Sequence, residues 1–161
     1  MNLLFPIIAN EKDIVYTPDW VAKDMVSFFK PSGRIFDACK GDGAFLRYMP
    51  DAKWCEIREG LDFFLWTERV DWIITNPPFS VYFDWICHSM TIADNFVYLL
   101  PTCKPFISNK LLQLLKCWGE IKHMRIYGQG NKLGFQVGFA IGAIHFQKGN
   151  RTGMTFSYYD V

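Results

Sequence analysis

Apolar and polar positions along the 161-residue chain switch repeatedly between a period near 3.6 and a period near 2, which predicts helices and strands in alternation. TPDWVAKDMVSFFK (17–30) sets Trp20, Val21, Met25, Phe28 and Phe29 on roughly one face. With Thr17 as cap and Pro18 at the first helical position, it predicts a helix. GRIFDAC (33–39) is a short apolar run entering the glycine-bearing turn KGDG, and AFLRYM (44–49) follows as a second helix. KWCEI (53–57) predicts a second strand, LDFFL (61–65) a short third, and VDWIIT (70–75) a fourth that is buried on both faces. VYFDWICHSMTIA (81–93) predicts a helix, NFVYLLP (95–101) a fifth strand, and SNKLLQLLKCW (108–118) a helix closed by Gly119. IKHMRIY (121–127) and VGFAIGAIHFQ (137–147) are strand-like runs joined by a glycine-rich loop with no helix between them. Strands joined without a crossover are most simply antiparallel. The pattern therefore predicts one α/β domain over residues 1–161, doubly wound around a mostly parallel sheet that ends in an antiparallel hairpin.

Composition adds bounds. Half the residues are hydrophobic and a fifth are charged, which suits a single globular core and excludes a disordered chain. MNLLFPIIAN has an apolar run broken by Pro6 with no basic start, and VGFAIGAIHF is too short to cross a bilayer. The expectation is a soluble, unexported, cytoplasmic protein with no membrane partner. Cys39, Cys55, Cys87, Cys103 and Cys117 are odd in number and widely spaced, which suits free thiols; no CxxC or HxxxH spacing exists, and no metal site is expected. The net charge of +1 hides an asymmetry. Residues 1–100 hold 9 basic and 14 acidic side chains, whereas residues 101–161 hold 8 and 2. Such segregation points to a face turned toward a polyanion, the alternative being that Lys110, Lys116 and Lys122 solvate a helix surface.

Three motifs carry chemistry. In DACKGDGAFL (37–46), an acid at a strand end precedes Gly41 and Gly43, which permit tight turning and close approach of a ligand to backbone N–H groups. Glu56 ends the second strand 19 residues after Asp37, where a carboxylate can accept both hydroxyls of a ribose. Asp62 and Phe63 then supply a carboxylate and a ring suited to an adenine amino group and its face. In NPPF (76–79), two prolines fix φ and give up two donors, leaving a rigid loop rich in acceptors. An aromatic amine is a poor nucleophile because its lone pair is delocalised. The Asn76 side-chain oxygen and the Pro77 carbonyl can hold its two hydrogens, while Phe79 stacks on the base.

NPPF, with DACKGDGAFL and YTPDW (16–20) upstream, resembles the N6-adenine DNA methyltransferases that use S-adenosylmethionine, in the compact form found in bacteria and phages. The resemblance implies a seven-stranded, Rossmann-like class I methyltransferase sheet with helices on both faces. It implies Asn76, Pro77, Pro78 and Phe79 as the catalytic set. The implied S-adenosylmethionine contacts are Tyr16, Thr17, Pro18, Asp37, Cys39, Gly41, Gly43, Glu56, Ile57, Asp62 and Phe63. Lys132 and Phe135, in GNKLGF, are candidates for phosphate contact and stacking. Ala38 stands where many relatives carry proline. The chain has no segment to house a separate target-recognition domain, so a homodimer or a separate recognition subunit is an expected partner beside the nucleic acid, DNA ahead of RNA. Methyl transfer to an adenine or guanine amine of RNA, transfer to a protein glutamine, and an inactive nucleic-acid-binding subunit stay open as alternatives.

Overall fold

The computed structural model describes residues 14–135, 137–149 and 151–160. The N-terminal run read above for a leader lies outside the described residues, as does Gln136 of the hairpin loop. Seven strands form one sheet: β1 (Ile35–Asp37), β2 (Lys53–Trp54), β3 (Val70–Thr75), β4 (Ala93–Pro101), β5 (Gly119–Gln129), β6 (Ala140–Lys148) and β7 (Thr155–Tyr158), in the spatial order β2-β1-β3-β4-β6-β5-β7. β1, β2, β3 and β4 are mutually parallel, β6 runs against both β4 and β5, and β7 is parallel to β5. Six strands thus share one direction and β6 alone is reversed, as the missing crossover predicts.

Helices cover both faces. α1 (Asp19–Phe29) lies over one: Phe29 packs edge-on to His145, Trp20 to Tyr127, and Arg125 of β5 donates twice to the Asp24 carboxylate, at 2.5 and 2.8 Å. α2 (Tyr82–Ile92) and α3 (Asn109–Trp118) lie over the other, where Ser89 meets the Tyr98 hydroxyl at 2.5 Å and Trp118 packs 5.5 Å from Phe96. Phe36, Ile73, Phe96, Tyr98, Leu99 and Phe146 are fully buried, so the core follows the central strands. Among the described residues, no helix is long and apolar enough to cross a membrane, and no group of three or more His, Cys, Asp or Glu could hold a metal ion.

Four elements depart from expectation. Thr17 does not cap α1; Pro18 is the N-cap residue, and Val21 and Ala22 donate to its carbonyl. Residues 44–49 form consecutive turns and no regular helix, with Tyr48 N–H donating three residues back to Phe45 O and Met49 N–H four back to the same oxygen. Positive φ at Gly41 and Gly43 on one side and Pro50 on the other leave too few residues for a stable helix. LDFFL is not a strand: Phe63–Leu65 is a 3-10 turn capped by Asp62, whose carboxylate accepts from Phe64 N–H at 2.9 Å. That local bond satisfies the backbone where an extended strand needs a neighbour. The seventh strand is instead β7, a four-residue segment unmarked by any long apolar run.

Candidate active site

Since β1 to β5 bring their relevant ends to one edge of the sheet, the loops after β1, β2, β3, β4 and β5 converge there. The chain leaves β1 toward β2 on one side and later returns as β3 on the other, which opens a crevice at that switch point. A cavity of about 290 Å³ occupies it. Its walls come from Val15 to Thr17, from the glycine turn, from Glu56 to Arg58, from Leu61 to Phe64, and from Asn76, Pro78 and Trp85.

The glycine turn is held from beneath. Asp37 is wholly buried at the end of β1. Its Oδ1 accepts from the Thr75 hydroxyl at 2.8 Å and from Cys39 N–H at 3.2 Å, and Cys39 N–H also donates to Thr75 Oγ1 at 3.0 Å. Asp37 Oδ2 is buried with no hydrogen-bond partner among the described residues. Burial pushes this carboxyl up to about 7, against the opposing pull of the Thr75 and Cys39 bonds. Gly41 and Gly43 take φ of +54° and +83°, conformations that side chains resist. Open space surrounds both, so the requirement is conformational and not steric. Glu56 closes the turn: its Oε2 accepts from Gly41 N–H at 2.9 Å and its Oε1 from Arg58 N–H at 3.2 Å. Each of its oxygens keeps a further lone pair for a ligand.

Asn76, immediately after β3, faces the same cavity. Its amide donates to Val15 O at 2.7 Å and to Thr17 Oγ1 at 3.1 Å. A backbone carbonyl can only accept, so the nitrogen must face Val15 and the oxygen the other way. Asn76 Oδ1 is buried and has no partner among the described residues. Among the described residues, Asp37 Oδ2 and Asn76 Oδ1 are thus the buried side-chain atoms left unsatisfied. Buried acceptors carry a desolvation cost of about 1–3 kcal/mol each unless a ligand donor meets them.

Of the residues singled out in the sequence, Tyr16, Thr17, Cys39, Gly41, Glu56, Ile57, Asp62, Phe63, Asn76 and Pro78 line the cavity. Asp37, Gly43, Pro18 and Pro77 are not among the residues that line it. Phe79 is only 7% exposed and packs toward Phe139, with ring centroids 6.3 Å apart. Phe135 is 4% exposed and belongs to the core, so its ring is not available for stacking; the apolar ring exposed on that hairpin is Phe139. Lys132 is exposed on the loop. Burial drives the Cys39 thiol up to about 12, which leaves it a neutral wall residue and no nucleophile. Sequence reasoning missed Thr75, Arg58, Phe64 and Trp85. Thr75 had a readable signal, a lone hydroxyl closing an apolar strand, and Trp85 none, because only folding brings α2 against Phe63, at 4.4 Å between ring centroids. Arg58 reaches over the cavity, its guanidinium 3.5 Å from the Tyr16 hydroxyl, to which it donates.

Sheet order, flanking helices and the crevice at the switch point define the class I S-adenosylmethionine-dependent methyltransferase fold. Solved structures of similar shape include a modification subunit of a putative type I restriction enzyme from Vibrio vulnificus, at 14% identity over 95% of this chain and 48% of that one, with a TM-score of 0.66. The methyltransferase subunit of a type I restriction-modification system from Streptococcus thermophilus matches at 17% identity over 89% of this chain and 47% of that one, also with a TM-score of 0.66. A putative RNA methyltransferase from Pyrococcus horikoshii matches at 15% identity over 81% and 80%, with a TM-score of 0.54. The chain spans about half the length of the two restriction-system subunits. No protein-family model and no curated protein matches the chain in sequence.

Proposed function

We propose that this protein transfers the methyl group of S-adenosylmethionine to the exocyclic N6 amine of adenine in DNA. The observation that carries the proposal is the locked Asn76 amide, whose nitrogen is spent on Val15 and Thr17 and whose oxygen is free at the cavity. A second acceptor for the amine is the Pro77 carbonyl, on a backbone that two prolines stiffen. With both hydrogens held, the amine's lone pair is directed away from the ring system and toward the cavity.

The residues present fit the cofactor. Asp37 Oδ2 is a buried acceptor awaiting a donor such as an ammonium group, the Gly41–Gly43 turn brings bare backbone to the crevice, Glu56 suits ribose hydroxyls, and Asp62 with Phe63 and Phe64 suits an adenine. Bound there, S-adenosylmethionine supplies an electrophilic methyl carried on sulfur. The chain's own part is positional. It would hold the amine in line, exclude water behind Phe63, Phe64 and Trp85, and let the amine's proton leave to solvent, the electron pair of the broken methyl–sulfur bond staying on sulfur. His88, beside Phe63, is no strong base: it is engaged with Trp66 O at 3.0 Å, and burial lowers its proton affinity.

DNA as the substrate is supported by the type I modification and methyltransferase subunits among the structures of similar shape, and by the basic C-terminal half. Those subunits are twice as long, and in this reading target choice comes from chain or partner beyond the fold described. The test is incubation with methyl-labelled cofactor and a panel of DNA, RNA and protein, followed by nucleoside analysis. Label in N6-methyladenine of DNA is the expected result; label confined to RNA bases or to glutamine would replace the proposal with the corresponding alternative.

A further inference from the structure

The loop after β4 carries features that the cavity does not use. β3 and β4 are parallel, so residues 102–108 leave the sheet beside the Asn76–Phe79 loop, and the Tyr82 hydroxyl at the start of α2 donates to Lys104 O at 3.1 Å. Lys104 Nζ lies 4.9 Å from the centre of the Tyr82 ring, and Lys110 Nζ lies 4.8 Å from that of Phe83. Among the described residues, neither ammonium has a carboxylate within ion-pairing distance, whereas Arg125 and Lys148 of the same basic half are neutralised by Asp24 and Asp94. Lys110 sits in the first turn of α3, which holds no acidic residue. A cation there opposes the helix dipole, so helix stability does not account for it, and an incoming anion would be favoured. Phe106 and Ile107 cap the loop with 45% and 67% of their surfaces exposed. The hairpin that carries exposed Phe139 is tied to the start of this loop, its Ala140 carbonyl accepting from Thr102 N–H at 3.0 Å.

We infer that Lys104 and Lys110, with Phe106 and Ile107, form a track for single-stranded nucleic acid along this edge. The ammonium groups take phosphates, and the apolar tips take base faces that a duplex keeps hidden. The inference rests on the proposed function, since the strand held there is the one that presents its amine to Asn76.

Fluorescence anisotropy with a labelled, adenine-containing DNA strand of about 20 nucleotides tests the track without requiring methyl transfer. Lys104→Glu combined with Lys110→Glu is expected to weaken binding at least tenfold, and to flatten the slope of log affinity against log salt by about 1.4, or roughly 0.7 per lost phosphate contact. Phe106→Ser with Ile107→Ser is expected to weaken binding about fivefold or more with the slope unchanged. Lys116→Glu with Arg151→Glu, at the opposite end of α3, is the control and should stay within about twofold, and cofactor binding by every variant checks its fold. Unchanged affinity in the Lys104/Lys110 variant, an equal loss in the control, or equally tight binding of a matched duplex would overturn the track. The full pattern without any methyl transfer would keep the track and remove the methyltransferase reading. Methyl transfer with an unchanged KM for the strand in the Lys104/Lys110 variant would do the reverse.

Discussion

Asp37 has one oxygen tied into the protein and the other left for a ligand donor, while Asn76 has its amide nitrogen tied and its oxygen left. Thr17 matters through Asn76. Thr17→Val removes one of the two bonds that orient the amide, worth about 1–1.5 kcal/mol, so kcat should fall about tenfold while cofactor affinity changes little. Equal losses in both would mean that Thr17 acts on the cofactor. Asp37 gives a pH prediction. Its folded-state pKa of about 7 lies above the ordinary 3.8, so between those values the folded protein holds a proton that the unfolded chain has released. On this group's account, stability falls as pH rises through that window and is fully retained only below it. An ammonium donor on Oδ2 favours the carboxylate, so cofactor affinity should rise with pH until about 7 and then level off. Urea unfolding from pH 4 to 8 should show the wild-type decline, and Asp37→Asn should flatten it while weakening cofactor binding at least tenfold. A variant with the same slope as wild type would remove Asp37 as its source.

The elements that hold this edge in place depend on a few polar contacts. Ser108 accepts from Leu111 N–H at 3.2 Å and caps α3, so Ser108→Ala should cost about 1 kcal/mol of stability, read by thermal or urea unfolding. Asp24 joins α1 to β5 by receiving both Arg125 and the Tyr127 hydroxyl, with only 15% of its side chain exposed. Asp24→Ala strands a largely buried guanidinium and should cost about 3–5 kcal/mol, enough to lower the melting temperature by many degrees. Strands β3 and β4, α2, α3 and the β5–β6 hairpin were legible in the sequence because each is long and its period unbroken. LDFFL misled, since its apolar residues match a strand while the decisive term is the bond from Phe64 N–H to Asp62. β7 was missed for the converse reason: Thr155 and Ser157 are fixed by His123 across the sheet, a contact that no local pattern announces. Thr17 was read as a helix cap because it precedes a proline, but folding spends its hydroxyl on Asn76, 59 residues away.

At the scale of the molecule, the charge asymmetry of the sequence is smaller in the fold. Arg125 and Lys148 reach acids of the other half and Lys122 meets Glu120, and among the described residues Lys104, Lys110 and Lys132, near the catalytic edge, have no ion-pair partner. Binding of nucleic acid should therefore weaken steeply with salt, through fewer contacts than the raw count of eight basic residues suggests. The motifs named ten of the cavity's walls, yet the cavity itself exists only because β1 and β3 lie side by side and carry Asp37 and Asn76 to one crevice. The most direct test compares wild type with Asn76→Ala for transfer of a methyl label to adenine in single-stranded DNA, with cofactor affinity measured on both. Loss of transfer by at least about a hundredfold, with cofactor affinity within a few-fold, is the predicted result. Undiminished transfer, or an equal collapse of cofactor binding, would contradict the role assigned to Asn76.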